Sequence, residues 1–326
     1  MTGDEDALGF RDPLGPRANV RPTYNDVLHP RPRPCLAGQW RFHYHEAMSL
    51  DPLLPVEIAR KAENTGVAKA GQPALQTFAL AVLAGAFISL GANFFTIVTT
   101  GSGMGFGPSR LLGGLAFSLG LFLVVVAGAE LFTGNNLIVM AWASGKVTAG
   151  RVLRNWALVY AGNFAGALGT VLLVFIARQW ELADYAVGAN ALRIAVAKVG
   201  IDPLEALARG VLCNSLVCLA VWLCYSSRSN TDRFFALVFP ITAFVAGGFE
   251  HSIANMYFVP LGLLLAGDPA VLASAALQPD ALGLLTWPDF LWRNLLPVTV
   301  GNLVGGGLLV GVVYWFIYLR GQPTEK

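Results

Sequence analysis

Charge is scarce in this chain of 326 residues: Asp, Glu, Lys and Arg make up 13% of it, roughly half their usual share in soluble domains. Residues 70–109 contain none of the four, a run longer than the roughly 20 residues that span a bilayer. That excludes a soluble globular class, and nothing in the chain points to a nucleic acid. Cysteine is sparse as well and shows no CxxC spacing. Cys213, Cys218 and Cys224 fall in one apolar stretch and read as buried small hydrophobes rather than zinc or redox ligands, while Cys35 stands alone near the N-terminus. No HExxH, no GxSxG and no intramembrane aspartate pair occurs, so the sequence offers no catalytic site and calls for no metal or cofactor. The N-terminal region also lacks the apolar core of a secretory signal.

The rest is strongly apolar, with 55% hydrophobic residues and a mean hydropathy of +0.57. Two regions separate by composition. Residues 1–49 form a Pro/Arg-rich arm with Arg31-Pro32-Arg33-Pro34 as a local repeat and His43-Tyr44-His45 as an inert pair, a composition that reads as disordered and cytoplasmic. Residues 50–322 form the membrane domain. The segment 53–69 has helical spacing and basic residues at its side, the pattern of a helix lying along the inner membrane surface.

Six spans follow, near 74–100, 111–144, 152–177, 204–226, 233–266 and 292–319. The second and fifth are too long for one straight helix. Each is interrupted by polar, glycine-flanked sequence: Gly128-Ala129-Glu130-Leu131-Phe132-Thr133-Gly134-Asn135 and Gly247-Gly248-Phe249-Glu250-His251-Ser252. Non-helical backbone at membrane depth survives only where protein buries it or a cavity wets it. Breaks at matching places in two halves mark a transport site near the midplane. The fold class is therefore an all-α membrane protein, six transmembrane helices in two inverted three-helix repeats with broken second and fifth helices. Lys146, Arg151, Arg154, Arg228 and Arg233 crowd two short loops, which predicts a multi-pass membrane protein with both termini in the cytoplasm.

Within the membrane three side chains are plainly ionisable: Glu130, Glu250 and His251. A charge at the bilayer centre costs about 2.5–3.5 kcal/mol on insertion scales. The glutamates sit where helix breaks orphan backbone N–H groups, which a carboxylate can cap. His251 begins the half-helix after the second break, and imidazole is the side chain able to hold or release a proton near neutral pH. Thr133 occupies the matching place in the first half, and Asn214 is the main polar group in the middle of the fourth span, facing either the pore or a neighbouring helix. The glycines of the third and sixth spans read as close helix packing.

Three stretches, Phe249-Glu250-His251-Ser252-Ile253-Ala254-Asn255-Met256, Glu130-Leu131-Phe132-Thr133 and Pro297-Val298-Thr299-Val300-Gly301-Asn302, resemble the formate/nitrite transporter family. The resemblance runs from about Leu50 to Arg320. It implies an aquaporin-like fold, a homopentamer embedded in lipid with one pore per protomer, and small monocarboxylate or nitrite-type anions and protons as partners. It also implies a pore histidine at His251 with Thr133 and Asn214 nearby. Hydrophobic constrictions would be Phe117, Leu121, Leu131, Phe132 and Phe244, and an anion-attracting lysine would be Lys198. The expected function is pH-dependent passage of formate and related small anions, with His251 exchanging a proton. A nitrite or hydrosulfide channel and an obligate proton–anion symporter stand as alternatives. Gly134-Asn135 after Thr133 is familiar in nitrite-carrying members, so the cargo stays open between formate and nitrite.

Overall fold

The computed structural model describes residues 52–322, and every regular element in that range is helical. The arm 1–49, with Cys35, His43 and His45, lies outside the described residues. In chain order the helices are α1 Pro55–Gly71, α2 Ala74–Thr99, α3 Phe106–Ala127, α4 Val139–Ala143, α5 Ala149–Ile176, α6 Ala186–Val199, α7 Pro203–Ser226, α8 Asn230–Ala246, α9 Ser252–Leu265, α10 Pro269–Ala275 and α11 Trp287–Tyr318. Among the described residues five, α2, α3, α5, α7 and α11, are long and apolar enough to cross a membrane. The fifth span is broken as expected, into α8 and α9, and α10 then turns off α9 by 112°. α6 was not foreseen: its Arg193 and Lys198 resemble loop composition, yet its buried face of Ala189, Leu192, Ala195 and Val199 packs into the core.

Both interruptions begin alike. α3 ends on Gly128 at φ +79° and α8 on Gly247 followed by Gly248 at φ +72°, a conformation that only glycine adopts without steric cost. The next N–H groups then reach back, Ala129 to the Val124 carbonyl at 2.9 Å and Phe249 to the Phe244 carbonyl at 3.1 Å. The chain resumes as a short 3₁₀ turn, Gly134–Ile138, leading into α4 in the first half, and as α9 in the second.

The long helices approach closely through small residues. A Cβ on Gly166 of α5 would lie 1.9 Å from the Val82 carbonyl oxygen of α2, and one on Gly305 of α11 would lie 2.1 Å from that of Val211 in α7. α1 does not rest on a membrane surface alone. Ile58, Ala59, Ala62 and Ala70 are buried, and Gly66 faces Ile138 and Ala141 of the broken segment. Lys61 Nζ donates to the Tyr225 carbonyl at 2.7 Å, Lys146 Nζ to Glu63 at 2.5 Å and Trp315 Nε1 to Ser144 Oγ at 2.9 Å. α1, the two basic short loops and the end of α11 therefore gather on one face.

Candidate pore site

Lys198, in the last turn of α6, donates to both carboxylate oxygens of Glu250 at 2.9 and 3.1 Å. Asn255 Nδ2 donates to the same carboxylate and to Asn294 Oδ1, both at 2.7 Å, and Asn294 Nδ2 returns to the Lys198 carbonyl at 2.8 Å. The first half repeats the same lysine–glutamate–asparagine–asparagine circuit, except that Lys69 Nζ meets one carboxylate oxygen and spends its second bond on Asn135 Oδ1 at 2.9 Å. Lys69 Nζ meets Glu130 at 2.7 Å; Asn135 Nδ2 meets Glu130 at 2.6 Å and Asn155 Oδ1 at 3.0 Å; Asn155 Nδ2 meets the Lys69 carbonyl at 3.2 Å. The glutamates thus hold lysines and asparagines rather than the backbone N–H groups expected of them, because α1 and α6 each bring an ammonium to the break.

The backbone at each break is secured by a second asparagine. Asn302 donates to the carbonyls of Gly210 and Glu250 at 2.9 and 3.0 Å and accepts from Ser252 N–H at 3.0 Å. Asn163 donates to the carbonyls of Ala81 and Glu130 at 2.8 and 2.9 Å and accepts from Phe132 N–H at 3.0 Å. All these asparagines are fully buried or nearly so, which is tolerable because every side-chain amide nitrogen among them donates; Asn255 Oδ1 alone of their polar atoms has no partner. The correspondence fixes the register of the repeat: Gly128 matches Gly248, Glu130 matches Glu250, and Leu131 matches His251. Thr133 is therefore not the counterpart of His251, as the motifs alone implied; that position belongs to Leu131, and Thr133 matches Ile253.

His251 caps α9. Its Nδ1 accepts from Ala254 N–H at 3.1 Å, so the ring's proton sits on Nε2, and Thr133 Oγ accepts it at 3.0 Å. Two side chains from two different helix breaks, both buried, meet at this point. Asn214 lies behind them, donating to the carbonyls of Thr133 and Asn302 and to Asn136 Oδ1 at 3.3, 2.7 and 3.2 Å. Its amide ties the two halves together.

A cavity of about 400 Å³ reaches His251 from one side, lined also by Lys198, Glu250, Arg110, Arg209, Phe117 and Phe244. A second, of about 370 Å³, reaches the first break from the other side and is lined by Lys61, Lys69, Glu130, Arg233, Leu121 and Leu131 among others. They share no lining residue. Between them the Phe117 and Phe244 rings meet edge to face at 5.6 Å, and Phe244 stacks on the His251 imidazole at 6.0 Å. Phe117 and Leu121 stand one turn apart on α3, one at each cavity. Phe132 faces neither cavity and packs on Trp156 and Tyr160, with ring centroids at 6.3 and 4.9 Å. Arg110, Arg209 and the asparagine set escape a reading by sequence, because their partners lie on other helices.

Two broken helices meeting at a buried imidazole, with a charged cavity on either side, define a membrane transport protein built from two inverted halves. The chain belongs to the formate/nitrite transporter family: the model for "Formate/nitrite transporter" matches residues 56–316. It is 48% identical to the formate channel FocA of Escherichia coli strain K12 over 273 residues, 83% of this chain and 96% of that one. It is 39% identical to FocA of Haemophilus influenzae over 271 residues, 82% and 95% of the two chains. A solved pentameric formate channel with formate bound superposes with a TM-score of 0.71 at 44% identity, over 76% of this chain and 98% of that one. A solved FNT family ion channel superposes at 0.67 with 26% identity, over 80% and 98%.

Proposed function

We propose that this chain forms a pore for formate and related small monovalent anions in the bacterial inner membrane, assembled as a homopentamer with both termini cytoplasmic. The observation that carries the reading is the meeting of His251 and Thr133 at 3.0 Å in the wall between two cavities. Phe117, Phe244, Leu121 and Leu131 form that wall, and they strip water from whatever crosses. A bare charge in such a place costs about 2.5–3.5 kcal/mol on insertion scales. Formic acid titrates roughly like a side-chain carboxyl, so protonating formate at pH 7 costs about 4 kcal/mol. The two routes lie close in energy, and a proton donor at the wall decides between them. His251 supplies its Nε2–H to the anion in place of Thr133. A second proton on Nδ1 would face Ala254 N–H, so charging the ring requires the first turn of α9 to release its cap. Passage is therefore pH-dependent, with His251 exchanging a proton with the permeating acid when that cap opens.

Lys198 contributes less free charge to the cavity than an isolated lysine would, since Glu250 holds it. Formate ranks first as cargo because the FocA relatives cover nearly their whole length at up to 48% identity. Uptake of labelled formate into liposomes, competed in turn by nitrite, acetate, lactate and hydrosulfide, tests the reading. Formate is expected to pass and nitrite to compete best, being a planar two-oxygen anion as small as formate, without the carbon substituent of acetate and lactate. Proteoliposomes no more permeable to formate than empty ones would refute it. Unitary current in planar bilayers separates the pore from an obligate symporter, which gives none.

A further inference from the structure

The cavity at His251 is walled by three cations, Arg110, Lys198 and Arg209, and one carboxylate, Glu250. Glu250 is already taken by Lys198. The remaining positive charge belongs to the two guanidinium groups, which converge on the second break. A Cβ on Gly248 would lie 2.8 Å from Arg110 Nη2 and 3.9 Å from Arg209 Nη1. Like charges directed at one point repel, and an anion held between them offsets that repulsion. The nearby protein offers partial relief: Arg209 reaches the exposed Glu205 and the Arg110 guanidinium lies 5.7 Å from the Phe106 ring centroid, whereas among the described residues no hydrogen-bond acceptor meets the terminal nitrogens of Arg110. Each arginine does spend one N–H on the break, Arg110 Nε on the Ala246 carbonyl at 3.1 Å and Arg209 Nη1 on the Gly248 carbonyl at 3.3 Å. Bracing the backbone alone would not require two charges, since uncharged donors secure both breaks elsewhere through Asn163 and Asn302.

The repeat does not supply these arginines either. In the register set by the two networks, Arg110 corresponds to Asn230 and Arg209 to Leu80, neither of which lines the opposite cavity. That cavity nevertheless carries the same balance of three cations and one carboxylate, drawn from Lys61, Lys69, Arg233 and Glu130. Lys61 has its pKa lowered, first by burial and then by the nearby Arg228 and Arg233. Surplus positive charge thus recurs at both mouths, at positions the repeat does not supply.

We propose that Arg110 and Arg209 form a capture site for small planar oxyanions, carboxylate or nitrite, at the mouth of the His251 cavity. A guanidinium fork matches two oxygens of such an anion, and a positive mouth with low-dielectric walls raises the local anion concentration. The site loads the cavity, and permeation then proceeds past Phe117 and Phe244. The proposal rests on the transport reading above.

The experiment is initial formate uptake into liposomes as a function of formate concentration, for the wild-type protein, the Arg110→Gln/Arg209→Gln double variant and the Arg110→Lys/Arg209→Lys double variant. Each is measured at about 10 and about 300 mM inert salt, which spans weak and strong screening. The capture site predicts that the glutamine variant needs about tenfold more formate for half-maximal rate, with the maximal rate kept and the salt dependence flattened. The lysine variant should keep most of the wild-type salt dependence. Half-saturation unchanged in the glutamine variant, or a fall in maximal rate alone, overturns the site and leaves the arginines as braces. A wild-type half-saturation that ignores salt overturns it without any variant, so the test survives if the glutamine variant does not fold. No wild-type uptake at all refutes the transport reading instead.

Discussion

The imidazole of His251 is pinned at both nitrogens, one by the start of its own helix and the other by a threonine from the opposite half. The buried acids are pinned as firmly, and their bonds make a residue-level prediction. Lys198 and Glu250 are 15% and 4% exposed in their side chains, and removing one partner of such a pair leaves a buried charge uncompensated. Lys198→Met should cost about 3 kcal/mol, and adding Glu250→Gln should recover most of it. Thermal unfolding followed with a thiol-reactive dye reads this directly, because Cys213, Cys218 and Cys224 are free and buried until the protein opens. If the double variant is as unstable as the sum of the singles, the pair is not what stabilises the break. Asn302→Ala should cost a similar amount, since it strands Ser252 N–H and two carbonyls at once. A loss below about 0.5 kcal/mol would mean that these backbone groups find other partners without Asn302.

At the scale of elements, glycine governs how near the long helices come. Gly166 and Gly305 occupy equivalent places in the two halves, each against a carbonyl oxygen of the facing helix. Alanine at either forces the helices apart, at a cost of about 1–3 kcal/mol each, measurable as a lower unfolding midpoint for Gly166→Ala and Gly305→Ala. Equal stability of wild type and variants would show that the helices separate freely. The existence and place of both breaks were legible in the sequence, because glutamate, glycine and asparagine have no business in an apolar span without a reason. What holds the breaks was not legible. Lys69 and Glu130, or Asn155 and Asn135, are far apart in the chain and meet only once α1 and α5 close on the broken segment. α6 was missed for a related reason: its charged residues face a cavity and a partner helix, and composition alone assigns such residues to a loop. The motifs rightly brought Thr133 beside His251, but reading Thr133 as the repeat equivalent of His251 was off, because function-bearing residues need not share a repeat position. The polar networks set the register; the motifs do not.

At the scale of the whole molecule, two halves of nearly the same design differ where it matters. The first break presents Leu131 to its cavity where the second presents His251, and Arg110 and Arg209 add to the second cavity a guanidinium pair that the first lacks. Assembly is a separate prediction. Native mass spectrometry of the detergent-extracted protein should give five copies per particle, as in the pentameric relative, and a stable monomer would contradict the proposed assembly. Exposed apolar side chains such as Phe239, at 70% exposure, and Ile176, at 74%, belong against lipid or a neighbouring copy rather than water.

The central claim, that His251 couples passage to pH, is tested most directly by labelled formate flux in liposomes between about pH 5 and pH 8. Wild-type flux should change across that range, whereas His251→Phe, eluting as the same assembly, should carry formate with a flat pH response. An equal pH dependence in the two proteins would contradict the account.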